Sequence, residues 1–175
     1  MSSSPRTSTS RPLTTTLLLG ALLLGALLLV AWLAWGTPSS HDGAQRAMWL
    51  GGERFQIELA TTPSSRLRGL MHRPPLASNQ GMLFIYPDQA PRSFWMKNVS
   101  FAIDILYLDT DWRLVHLHEA VPPCRSDPCP GYPSHEAARY VLELPAGTAS
   151  RLPLEPGTRL HPPLPAGVTK KKAPE

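Results

Sequence analysis

From Glu53 onward the chain alternates apolar and polar residues in short runs. In ERFQIELA, Phe55, Ile57 and Leu59 share one face while Arg54, Gln56 and Glu58 share the other, the pattern of a half-buried strand. TTPSSRLRGLM breaks that rhythm. Thr62 is a good N-cap residue and Pro63 suits the first helical position, so a short helix is predicted through Leu67 to Gly69. GMLFIYP reads as an apolar strand stopped by Pro87, and SFWMK as a separate one. IDILYLD, a turn at Asp109, Thr110 and Asp111, and WRLVHLHEA together predict a β-hairpin. RYVLEL alternates again, LPAGTASRL holds one helical turn, and EPGTRL turns at Pro156 and Gly157 into a last short strand. Short strands spaced by turns predict a mainly β fold, a small antiparallel barrel or sandwich with one or two short helices.

One segment departs from this pattern. Leu17 to Trp35 is an unbroken apolar run of 19 residues. At ~1.5 Å per helical residue it nearly spans a hydrocarbon core of about 30 Å. Trp32 and Trp35 close its far end, where amphipathic rings favour the membrane interface, and Arg6 and Arg11 precede it with no acid before Asp42. The run exceeds the roughly 7–15 apolar residues of a signal peptide, and no A-x-A site follows. We therefore expect one N-terminal transmembrane helix, a retained signal anchor, with a cleaved signal as the alternative. The expected organisation is a disordered cytoplasmic N-terminus (1–12), the anchor (13–35), a linker (36–46), one β-rich domain (47–160) and a disordered Pro/Lys tail (161–175).

The formal charge of +4 invites a nucleic-acid reading, but its distribution argues against one. Between Ala44 and Pro165 there are 12 Lys or Arg and 11 Asp or Glu, a net charge of +1. A nearly neutral domain lacks the footprint that phosphate binding needs, so no nucleic-acid partner is expected. The chain has two cysteines, Cys124 and Cys129, in the proline-rich PPCRSDPCPGYPS. An exported context favours a disulfide between them, since a metal or redox pair would prefer closer spacing and more ligands nearby.

Candidate chemistry concentrates in SFWMKNVSFAID. In the strand that follows, Ile103, Ile105 and Tyr107 face one way, and Asp104, Leu106 and Leu108 the other. A carboxylate on that apolar face needs a partner, and Lys97 and Arg68 are the candidates; either Asp104 is structural, as an ion pair or a turn cap, or it forms one polar wall of a pocket. Trp95 with Lys97 can stack on a planar ligand, with Asn98 supplying hydrogen bonds, or Trp95 can be core. The combination expected is a partly exposed Trp95 beside a structurally paired Asp104. His116 and His118 share a strand face, yet two imidazoles are no metal site without a third ligand such as His135 or Glu119. Met71, Met82 and Met96 are better read as core fillers than as copper ligands. No G-x-S-x-G, H-E-x-x-H or P-loop occurs, and Asp104 and Asp109 fall on opposite strand faces and so cannot flank a glycosidic bond. No cofactor, metal or catalytic constellation is expected.

Five blocks in order carry a family resemblance: RGLMHRPPL (68–76), GMLFIYP (81–87), FWMKNVSFAIDILYLD (94–109), the PC…PC loop, and YVLELPAG (140–147). Together they resemble the domain of unknown function 192 family, over about Phe55 to Leu160. One departure stands near the end, where Gly157 is followed by Thr158 rather than by the usual Asp. The resemblance implies a small, β-rich bacterial domain, often carried on a lipoprotein signal or an N-terminal anchor, and brings no catalytic residues with it. The expected function is a binding or accessory module, anchored in the bacterial inner membrane and facing the periplasm. Its candidate ligand site is Arg68, Trp95, Lys97, Asn98 and Asp104, for an envelope glycan or another polar or anionic ligand. The alternatives are an envelope hydrolase or transferase using Asp104, and a structural interaction partner in a membrane complex.

Overall fold

The computed structural model describes residues 45–163. The expected disordered N-terminus, the membrane anchor, most of the linker and most of the tail lie outside the described residues. Among the described residues no helix is long and apolar enough to cross a membrane.

Strand β1 (Gln45–Leu50) begins inside the expected linker and pairs antiparallel with β2 (Glu53–Ala60). The two-residue turn between them is Gly51–Gly52, both at positive φ (52° and 87°), the backbone that tight hairpins demand and that glycine supplies without strain. Helix α1 (Pro63–Arg68) forms where the sequence predicts it. The Thr62 side chain accepts from the Ser65 amide at 3.1 Å, and Ser65 Oγ accepts from the Thr62 amide at 3.0 Å, a reciprocal cap on two otherwise orphaned donors. Strands β3 (Gln80–Trp95), β4 (Ile103–Leu108), β5 (Leu114–Val121) and β6 (Gly131–Pro145) follow, and one turn of helix, α2 (Thr148–Arg151), comes last.

The six strands form an open sheet in the order β1-β2-β3-β6-β4-β5. This corrects the expected antiparallel barrel or sandwich in two respects. No ladder joins β1 to β5 among the described residues, and β2 and β3 run parallel. Parallel neighbours cannot be joined by a hairpin, so residues 61–79, with α1, form the crossover.

Both faces of the sheet are covered. On one, Phe55, Ile57, Leu83, Leu106, Leu142 and Leu144 pack with Ala149 and Leu152 of the C-terminal segment. On the other, Met82, Phe84, Ile103, Ile105, Tyr107 and Val141 pack with Leu70, Met96 and Val99. Hence every residue of β4 is buried, Asp104 included, and IDILYL shows no apolar–polar alternation. Each fully buried Leu, Ile or Phe contributes about 1.5–3 kcal/mol. Met82 and Met96 are core fillers, as expected.

GMLFIYP and SFWMK are not separate strands. They are the two ends of β3, which runs through Pro87. The ladder with β6 jumps from Ile85↔Tyr140 to Ala90↔Ala138, so Pro87 lies where no ladder partner needs its missing N–H. A second shift, from Pro91↔Ala137 to Ser93↔Pro133, sets Ser134, His135 and Glu136 of β6 opposite Arg92 alone. The buried Ser134 hydroxyl holds that bulge, accepting from the Arg92 amide at 3.0 Å and donating to the Glu136 carbonyl. The hairpin of β4 and β5 is as predicted, its turn set by Asp109 Oδ1, which accepts from the amides of Asp111 (2.8 Å) and Arg113 (2.9 Å). The predicted last strand reduces to a single bridge between Arg113 and Arg159.

Candidate functional site

Because β3 bends and the crossover lies beside it, a pocket of about 360 Å³ opens between α1, β3 and the turn after β3. Phe84, Phe94 and Tyr86 form its apolar side, with Phe84 and Phe94 packed edge to face at 4.8 Å. Leu67 (72 % exposed) and Trp95 (47 %) are the large hydrophobic side chains left exposed among the described residues, and both line this pocket. Arg68, exposed on α1, lines both this pocket and a neighbouring hollow that contains the bidentate Arg73–Glu58 pair (2.5 and 2.7 Å). Arg66 is fixed differently, donating to the carbonyls of Thr61 (2.6 Å) and Ile85 (2.9 Å). With Arg92 it flanks the Tyr86 ring, at 4.9 and 3.9 Å from the centroid. Burial nonetheless raises the Tyr86 pKa above the ordinary phenol value, against the pull of both guanidinium groups.

The least expected member of the site is Glu143. It lies on β6 opposite Met82 and Ile105, is 4 % exposed, and lines the pocket. Its Oε2 has no hydrogen-bond partner among the described residues. Burial pushes its pKa up to about 8, offset in part by the charge of Arg73, so at neutral pH the group is mostly a neutral acid, able to donate a hydrogen bond. The sequence reading passed over Glu143, because alternation in RYVLEL assigns it to a polar face. That face is covered by the second core layer. The available signal was an acid between Leu142 and Leu144 in a strand with strands on either side.

Of the five predicted site residues, the structure brings Arg68, Trp95 and Lys97 to one pocket and leaves out Asn98 and Asp104. Lys97 Nζ stands 5.7 Å from the Trp95 ring centroid and 3.6 Å from Asp127 in the cysteine loop. Asn98 occupies the exposed turn after β3 at φ 58°, where its carbonyl accepts from the His72 amide at 2.9 Å. Asp104 is fully buried, and neither Lys97 nor Arg68 pairs with it. Instead Oδ1 accepts from the amides of Ala120 (2.8 Å) and Gly147 (3.2 Å), and Oδ2 from that of Ala149 (2.8 Å). Three oriented N–H groups stand where a cation was one expectation, so Asp104 is a backbone cap and not an ion pair, and it is set apart from the pocket.

Cys124 and Cys129 form the expected disulfide. His116 and His118 on β5 meet His135 from the β6 bulge, whereas Glu119 does not join them. His116 has its pKa lowered, first by burial and then by the two neighbouring imidazoles.

The family model for domain of unknown function 192, described as an uncharacterized ACR, matches residues 47–162. No curated protein matches the chain. Two solved structures share the fold, each with a TM-score of 0.62. One, from Sinorhizobium meliloti, is titled a proposed transcription regulator; it is 36 % identical, over 70 % of this chain and 97 % of its own. The other, a protein of unknown function from Novosphingobium aromaticivorans, is 27 % identical over 71 % of this chain and 89 % of its own. The chain belongs to the domain of unknown function 192 family.

Proposed function

We propose that the chain is a binding or accessory module, held at the inner membrane by its N-terminal apolar run, whose domain faces the periplasm and takes an amphipathic, anionic ligand such as an envelope glycan. One observation carries this reading. Two exposed hydrophobic side chains, Leu67 and Trp95, stand on the same pocket as two cations, Arg68 and Lys97, and an unpartnered buried acid, Glu143. An exposed indole offers a flat face to a sugar ring. The cations suit a carboxylate or phosphate, and the neutral Glu143 acid can donate to a ligand oxygen. The near-neutral charge of the domain argues for a discrete ligand over a nucleic acid, whatever is proposed for its Sinorhizobium relative. Tag-free protein mixed with purified peptidoglycan sacculi and sedimented provides the test. Co-sedimentation is expected, and Trp95→Ala or Arg68→Ala should release the protein into the supernatant. Wild-type protein that stays soluble, or variants that sediment equally, would refute the glycan reading.

A second reading rests on Glu143 alone. A carboxylic acid held neutral at pH 7 on a pocket wall is the form a general acid takes, which would make the site that of a transferase or hydrolase. Among the described residues no second carboxylate lines that pocket, so a paired-acid glycosidase mechanism lacks its partner there, and binding is the stronger reading. Asp104 is not available for such chemistry, because its oxygens are committed to backbone amides away from the pocket.

A further inference from the structure

We propose that His116, His118 and His135 form a binding site for a divalent transition-metal ion, Zn²⁺ or Cu²⁺. One ring nitrogen from each residue lies within 4.8 Å of the other two, and the His116 ring centroid is 4.6 Å from that of His118 and 4.7 Å from that of His135. No hydrogen bond links the three rings among the described residues, so they converge without holding one another. The His116 Nε2 atom is shielded from solvent and has no hydrogen-bond partner among the described residues, an expensive state for a ring nitrogen unless something completes it.

Two local features set the rings in place. His118 Nε2 lies 2.8 Å from the Pro133 carbonyl, which can only accept, so the proton sits on Nε2 and Nδ1 keeps its lone pair. A carbonyl on the second nitrogen is the usual support of a metal-bound histidine. His135 enters through the β6 bulge at φ 57°, a left-handed backbone that turns its side chain out of the alternation and is pinned by the Ser134 hydroxyl. A tetrahedral ion bound at ~2.0–2.1 Å needs its nitrogens about 3.3 Å apart. The sp³–sp² ring torsion of histidine is broad, so ring rotation is the cheapest way to narrow that gap. A set of three imidazole nitrogens matches Zn²⁺ in chemistry, and Cu²⁺ binds such nitrogen sets at least as tightly. This site is separate from the Glu143 pocket and does not depend on the reading given to it.

The test uses full-length, tag-free protein stripped with chelator, titrated with Zn²⁺ by calorimetry and with Co²⁺ followed by its visible d–d absorption. One equivalent is expected to bind, with absorption typical of a low-coordinate nitrogen site. His135→Ala, at an exposed position, should weaken binding by on the order of 100-fold or more, since even the outer partners of metal ligands are worth about 10–100-fold. Circular dichroism confirms the variant's fold, and His161→Ala serves as a control that keeps wild-type affinity. No binding by the wild type overturns the proposal. So does a folded His135→Ala protein that binds Zn²⁺ and Co²⁺ as the wild type does.

Discussion

Removing the Asp104 carboxylate strands three backbone N–H groups at once, those of Ala120, Gly147 and Ala149. The Ala149 donor is buried and the other two part-buried. With about 1–3 kcal/mol for a buried, unsatisfied donor and less for the part-buried pair, Asp104→Ala is expected to lower stability by about 3–5 kcal/mol in urea unfolding of the full chain. Trp95→Ala, at a ring nearly half exposed, should cost no more than about 1 kcal/mol in the same experiment. Two comparable losses would mean that the indole is core after all. Glu143 gives a prediction of opposite character. Its folded pKa is raised to about 8 from 4.5, so between those values the folded state holds a proton that the unfolded state has released. Stability from this group is therefore greatest in acid, declines as pH rises above about 4.5, and levels off above about 8. Glu143→Gln should change the melting temperature little at pH 5 and raise it clearly at pH 9. A variant with the same effect at both pH values would contradict the raised pKa. Asp104 was legible as a buried acid, but its partners are amides from segments distant in sequence, and side-chain identities cannot announce a backbone donor. Glu143 was missed because it sits on a face that only the second core layer reveals as buried, and His135 was named only as one of two possible third ligands because alternation does not encode the bulge that carries it.

At the level of elements, the capping residue and one glycine position the site. Thr62→Ala removes the reciprocal cap on α1, the helix that carries Arg66, Leu67 and Arg68, and should cost about 1 kcal/mol. It should also weaken whatever the pocket binds by more than that stability loss implies, because the helix holds four of the lining residues, Pro63, Arg66, Leu67 and Arg68. Gly81 is stricter. A Cβ there would meet the Glu143 carbonyl and Leu144 Cδ2 at 2.8 Å, and Ile57 Cδ1 at 2.9 Å. A backbone oxygen cannot move aside cheaply, so Gly81→Ala should destabilise by about 1–3 kcal/mol and disturb the strand that bears Glu143; an Ala variant as stable as the parent would refute this packing. The elements themselves were largely readable. The β2 face, the α1 cap and the β4–β5 hairpin all follow from period, capping residues and turn chemistry. The continuity of β3 through Pro87 was not, since the sequence marks the proline without marking the bulge that accommodates it.

For the molecule as a whole, period-two patterning indicates strands but not their order, and so leaves barrel, sandwich and open sheet equally compatible with it. What decides is the parallel step between β2 and β3, set by long-range pairing. That step has an evolutionary consequence. The ladders of β3, β6, β4 and β5 owe nothing to residues 61–79, whereas α1 and the loop after it supply nearly half of the pocket lining from within that one crossover. A chain built this way can exchange one recognition specificity for another by rewriting a single contiguous segment, while the sheet behind it is inherited unchanged.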